Sequence, residues 1–157
     1  MATGTPATKL LKTAGIDFKE HEYSHDPNST SFGLEAAEKL GVDPNRVFKT
    51  LIANLDEIFA VAIVPVNQQV SLKSLSRVLG AKRATMADPA HAARLTGYVV
   101  GGISPLGQKR LLKTVIDQSA TNFETILVSG GRRGFDIELS PNDLASLLSA
   151  EFAEITN

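Results

Sequence analysis

Lys49 stands inside the apolar run VFKTLIAN. A charged group in a strand costs free energy unless it is paired or solvated. Two readings are open: an edge-strand lysine that discourages aggregation, or a cation that lines a pocket and meets an anion. Asp136 poses the opposite problem in SGGRRGFDIEL, where it sits between Phe135 and Ile137. A buried acid there needs a partner, and Lys49 is the expected one. Arg132 and Arg133 precede it on a glycine-flanked turn. They are either solvated hairpin arginines or a phosphate contact at the mouth of a cleft.

The stretch GYVVGGISPLG, Gly97 to Gly107, is a short apolar strand that breaks into glycines. It has neither the GxxxxGK spacing of a phosphate loop nor GxGxxG. What remains is a plain turn, or a loop whose N–H groups at Gly101 and Gly102 bind a carbonyl or carboxylate oxygen. The sequence leaves these two readings balanced. Tyr23 and Phe32, in HEYSHDPNSTSFG, could form a stacking face for a base or ring, or simply fill the core.

Other chemistries are weaker. His21 and His25 are four apart on an expected strand, which separates them by ~13 Å at ~3.3 Å per residue, too far to share one ion. His91 belongs to another element, so no metal is expected. A triad assembled from Ser104 or Ser129, a histidine and Asp136 has no GxSxG elbow behind it. The chain has no cysteine, which excludes disulfides, thiolate metal sites and a cysteine nucleophile.

The elements that must hold these residues follow from pattern. Thr5 caps a helix that begins at Pro6 and stops at Gly15. IDFKEHEYS alternates as a strand. SFGLEAAEKLG is a helix ending at Gly41. RVFKTLIAN and EIFAVAIVPV form a hairpin joined by LD. VSLKSLSRVLG is a helix closed by Gly80, and DPAHAARLTG is another, capped by Asp88. YVVGG, LLKTVID, TILVSGG and FDIELS are strands. SPNDLASLLSAEFAEI is a closing helix capped by Ser140. Helices and strands interleave without strict alternation, which predicts a mixed α/β sheet and not a doubly wound parallel one.

A length of 157 residues fits one domain, 1–157. The formal net charge is −1, so any nucleic-acid binding must use a local patch. No long apolar run opens the chain. No signal peptide or membrane span is expected, and the expected location is cytoplasmic.

Taken in order, EYSHDP, SFG, VFKTL, MADP, TGYVVGGISPLGQK, VSGGRRGFDIEL and DLASLL resemble the YbaK family of aminoacyl-tRNA deacylases. That family is related to the editing domain inserted in bacterial prolyl-tRNA synthetases, and the resemblance runs over nearly the whole chain. It implies a mixed β-barrel-like sheet flanked by helices, and hydrolysis of Cys-tRNA(Pro) in trans without a cofactor. It further implies that the substrate's own thiol attacks the ester and leaves as a cyclic thiolactone. The implied partners are the acceptor end of tRNA(Pro) and prolyl-tRNA synthetase. On this resemblance Lys49 holds the terminal phosphate or ribose, Gly101 offers backbone contacts near the scissile carbonyl, and Asp136 belongs to the catalytic set. Tyr23, Phe32, Thr50, Gly102, Ile103, Ser104, Pro105, Ser129 and Arg132 are the implied substrate-binding residues. An enzyme for another small aminoacyl group, such as Ala-tRNA(Pro), and a non-catalytic tRNA-end or nucleotide-binding module remain the alternatives.

Overall fold

In the computed structural model, which describes residues 4–157, two sheets lean together with helices packed around them. The first sheet is antiparallel, in the order β1 (Lys19–Glu22), β7 (Phe135–Leu139), β6 (Ile126–Arg132). The second runs β4 (Thr85–Met86), β2 (Phe48–Leu55), β3 (Ile58–Pro65), β5 (Lys113–Asp117), β8 (Glu151–Ala153). Its β4–β2–β3 part is antiparallel, and β5 and β8 add in parallel. The mixed α/β expectation holds.

The two sheets do not close into a full barrel, so the sheet is barrel-like only in a loose sense. Val47 bridges to Leu127 at the start of β2. Beyond that bridge β4 is only two residues long and covers Ala53 and Asn54 alone. The outer edge of β2 between these points is left without a strand partner, and a cavity opens there.

Period-two alternation sets what each face buries. Phe48 and Ile52 of β2, Ile126 and Val128 of β6, and Phe135, Ile137 and Leu139 of β7 point into one core between the sheets. Helix α1 (Pro6–Ala14) closes it with Ala7 and Leu11, and α5 (Pro141–Leu148) with Leu144 and Leu148. Helix α3 (Leu72–Val78) covers the far face of the second sheet with Leu75 against Ala53, Ala62, Val64 and Val115. Helix α2 (Phe32–Leu40) seats Ala36 and Ala37 against Val47, Val66 and Leu127. Alternation therefore turns Asp136, between two core residues, away from that core and toward α2 and β2.

Caps fix several boundaries as the sequence predicts. The Thr5 side chain accepts from Thr8 N–H, and Gly15 takes the left-handed cap of α1. The Asp88 carboxylate accepts from His91 N–H at the start of α4 (Pro89–Thr96), and Gly97 at φ 82° ends it. Each such cap contributes about 1 kcal/mol.

Three expectations need correction. The β2–β3 turn is Asp56–Glu57, one residue later than LD, because Leu55 still pairs with Ile58. YVVGG is no strand. The Tyr98 hydroxyl crosses the loop to donate to Leu106 O at 2.6 Å, and Gly102 N–H turns back to Val99 O. These bonds, with Arg133 Nε donating to Val100 O, occupy loop polar groups that a sheet ladder would otherwise pair. The closing helix stops at Leu148, where Ser149 goes left-handed at φ 52°, and β8 follows beside β5.

A polar strap ties the two sheets near the cavity. Arg46, just before β2, donates to Thr125 Oγ1 at 2.8 Å and to Glu138 Oε2 at 3.2 Å. Glu138 also meets His21 Nε2 at 2.8 Å. The Thr125 hydrogen bond, together with His21 and Arg46, outweighs burial and holds the Glu138 carboxyl below its usual range. This strap fixes where β2 starts, and so where Lys49 lies.

Candidate active site

The cavity left by the open edge of β2 measures ≈ 470 Å³. Lys49, Thr50 and Ile52 come from β2, Ser129 from β6 and Asp136 from β7. Tyr23, Phe32 and Leu34 add to the lining, as do Met86, Pro89, Val100 and Gly101. Eight of the residues singled out from sequence thus meet in one place: Tyr23, Phe32, Lys49, Thr50, Gly101, Ile103, Ser129 and Asp136.

Four others do not line it. Ser104 is fully buried, and its Oγ accepts the Leu106 N–H as part of the loop's internal bracing. Pro105 is buried on the back of the loop, beside a second, smaller hollow. Gly102 has its N–H taken by Val99 O. A Cβ there would meet the Arg132 backbone at 2.8 Å, so its glycine serves close packing of the loop on the β6–β7 hairpin. Arg132 pairs with Glu22 at 2.9 Å and lies over the Phe135 ring, 4.5 Å from its centroid. The sequence missed the Met86–Pro89 wall as a lining; the MADP motif was its trace.

Charge in the cavity is unusual. Asp136 is 6 % exposed, and burial alone pushes its carboxyl up to about 7. Burial alone also lowers the Lys49 ammonium from its ordinary value. Neither group is held by the other, and no ion pair joins them. The expected Lys49–Asp136 pair is therefore corrected: both line one cavity, from different sheets, without neutralising each other. Burial, then the Asp136 charge, then Glu35 push the Tyr23 phenol up to about 12, so it stays a hydrogen-bond donor. The buried Thr50 Oγ1 has no hydrogen-bond partner among the described residues, although buried hydroxyls normally find one.

The histidines take structural roles. Glu35 binds His25 Nδ1 at 2.6 Å and the Asp26 N–H at 2.8 Å, and pairs with Lys39 at 3.3 Å. Burial would raise its pKa, but these three partners outweigh burial and lower it. Glu35 thereby pins the Tyr23–Ser31 segment that carries one wall. No cluster among the described residues could hold a metal ion.

The glycine at 101 answers the question of the loop. Gly101 has φ 85°, and a Cβ there would stand 2.7 Å from the Phe32 ring. Arg133 packs on Phe32, 5.0 Å from the ring centroid, and donates from Nε to Val100 O. Hairpin, loop and Phe32 thus lock together at the mouth. Gly101→Ala is expected to lower stability by about 1–3 kcal/mol from backbone strain and ring displacement. Urea unfolding measures this, and an unchanged midpoint would overturn the interlock.

A family model described as the aminoacyl-tRNA editing domain matches residues 26–147. A protein of Enterococcus faecalis is 35% identical over 153 residues, covering 97% of this chain and 93% of its own length. Its name, EbsC, is given provisionally as a Cys-tRNA(Pro)/Cys-tRNA(Cys) deacylase. The proline–tRNA ligase of Thermosipho melanesiensis is 29% identical over 119 residues, which is 76% of this chain but 21% of the ligase. Among solved structures, hypothetical protein APE2540 aligns with a TM-score of 0.87 at 23% identity, over 98% of this chain and 100% of that one. A structure described provisionally as a trans-editing enzyme for prolyl tRNA synthetase aligns with a TM-score of 0.83 at 22% identity, over 99% of each chain. The two structures speak to the fold; the sequence matches speak to descent. With the family model covering most of its length and a full-length relative above 30% identity, this chain belongs to the aminoacyl-tRNA editing domain family.

Proposed function

We propose that this chain removes a wrongly attached amino acid from the 3′ end of tRNA, with Cys-tRNA(Pro) as its preferred substrate. Residues 1–157 act as one editing domain, in trans, in the compartment where tRNA is charged, the cytoplasm. One observation carries the reading. A buried carboxyl with its pKa pushed up to about 7 and a half-buried ammonium line one cavity without pairing. Structural charges pair; groups left poised and unpaired are what acid–base chemistry and anion binding use. The relative of nearly equal length supports a stand-alone enzyme.

The proposed reaction needs no protein nucleophile. The cysteinyl thiol attacks its own ester carbonyl, a C–S bond forms, and the C–O bond to ribose breaks. Asp136 takes the thiol proton and returns it to the departing ribose oxygen. The immediate products are a cyclic thiolactone and free tRNA, so the step is lyase-like, and water opens the thiolactone afterwards. Lys49 fixes the terminal phosphate or ribose, and the Thr50 hydroxyl is free to bond a polar substrate group. Gly101 brings backbone close to the carbonyl, whereas Gly102 has already given its N–H to Val99. Enforced proximity supplies most of the rate, because a thiol held beside its own ester has a very high effective concentration.

Purified protein offered Cys-tRNA(Pro) and Ala-tRNA(Pro) tests this, with and without prolyl-tRNA synthetase. Much faster loss of cysteine is expected, since alanine brings no thiol. Equal rates would sink the thiol-assisted step. Binding without any turnover would leave only a tRNA-end-binding module.

A further inference from the structure

The near-neutral charge of the chain hides a strong internal division. Eight of the sixteen Lys and Arg residues fall between Lys73 and Lys113, with one of the seventeen Asp and Glu, Asp88. That segment carries +7 and the remainder −8. All eight cations are exposed, and none is in an ion pair among the described residues. The single acid is engaged as the cap of α4.

The same segment supplies one wall of the cavity, through Met86, Pro89, Val100 and Gly101. Lys82 and Arg83 lie in the exposed segment just before β4 and that wall. Arg94 lies exposed in the last turn of α4. Lys109 closes the helix: its N–H donates to Thr96 O, and its stem lies where a Gly97 Cβ would be, 3.1 Å away. The cations thus flank the wall segment along the chain, Lys82 and Arg83 before it and Arg94 and Lys109 at the far end of α4, a helix ~12 Å long for eight residues at ~1.5 Å rise.

We propose that this basic wall is a docking surface for the phosphates of an RNA duplex whose 3′ end enters the cavity. The proposal rests on the tRNA-end reading above and adds where the stem lies. A duplex leaving the cavity must pass the rim. Unpaired, exposed, long-stemmed cations on the segment that supplies this wall suit a row of phosphates, which are bound by point charges without reading sequence. The −8 remainder repels RNA elsewhere and orients the approach. An acidic protein surface is the competing occupant, and the experiment separates them.

The test combines Lys82→Gln, Arg83→Gln, Arg94→Gln and Lys109→Gln in the full chain. None of these residues touches the cavity chemistry. Binding of an uncharged acceptor-stem hairpin is measured against salt by fluorescence anisotropy. Turnover is measured on charged tRNA and on the aminoacylated terminal adenosine alone. The variant is expected to bind the hairpin at least about tenfold more weakly, with its log–log salt slope shallower by about 2–4. Its KM for charged tRNA should rise while turnover of the adenosine ester stays at the wild-type value. Unchanged hairpin binding and slope would overturn the proposal. So would equal loss on both substrates, or a loss of binding to prolyl-tRNA synthetase with hairpin binding intact. If the wild type binds the hairpin but deacylates nothing, the docking surface stands and the enzymatic reading falls.

Discussion

Lys49→Met is expected to lower kcat/KM on Cys-tRNA(Pro) by at least about a hundredfold and to leave the fold as stable as before, or more so. The two halves have one cause. Lys49 is a half-buried ammonium whose pKa burial lowers, with no carboxylate to offset the cost. A lysine whose folded pKa lies below its unfolded value destabilises the fold while it is charged. That cost is present at neutral pH and fades as pH rises through the lowered pKa toward the unfolded one. Methionine keeps the apolar stem and removes the charge. The stability gain should therefore be largest near pH 7 and shrink in alkali. Lys49→Arg restores charge but not the compact ammonium geometry, so partial recovery through KM is expected. Steady-state kinetics and thermal unfolding at two pH values check both halves. Full activity in the methionine variant would remove Lys49 from the site. A marked loss of stability would mean that it holds the fold instead.

The cost of placing an unpaired ammonium in a strand is also what made Lys49 visible in the sequence. Lys49 breaks the apolar pattern of β2, and Asp136 breaks that of β7; local rules fail most often where function overrides them. The caps were equally legible, because Thr5, Asp88, Ser140 and the glycines that end α1, α2 and α4 act through neighbours a few residues away. The loop from Gly97 to Gly107 was not. Its two valines look like a strand, yet Val99 is 58% exposed. Its shape comes from Tyr98 reaching Leu106 and from backbone contact with the β6–β7 hairpin, some thirty residues on. Likewise the closing segment SAEFAEI continues a helical composition, and only a left-handed Ser149 and the open side of β5 turn it into a strand. Pattern reports what a residue prefers; which of Ser104, Pro105 and Arg132 turns away from a cavity depends on partners distant in the chain.

Asp136→Asn is the second large effect, and its sign depends on pH. Burial raises the folded pKa of Asp136 to about 7 from a starting value of 3.8. Between those values the folded chain keeps a proton that the unfolded chain has released. Stability must therefore fall as pH rises from about 4 to about 7 and change no further from this group above it. Each tenfold gain in proton affinity on folding corresponds to about 1.4 kcal/mol. Asparagine never ionises, so the variant should match wild type near pH 4 and exceed it by up to about 4 kcal/mol at pH 8. Activity should move the other way. If Asp136 accepts the substrate thiol's proton, wild-type kcat/KM rises through a pKa of about 7, and the variant loses that limb and about 10²–10³ of the rate at pH 7.5. The gap should narrow above about pH 9, where a free thiol of pKa about 8.5 ionises unaided. A flat stability difference between pH 4 and 8 would show that the carboxyl is not held protonated by burial. A variant that keeps the wild-type limb would move the proton transfer to another group. Both outcomes together would leave Asp136 a packed residue of β7, with the thiol ionising only in bulk solvent before it enters the cavity.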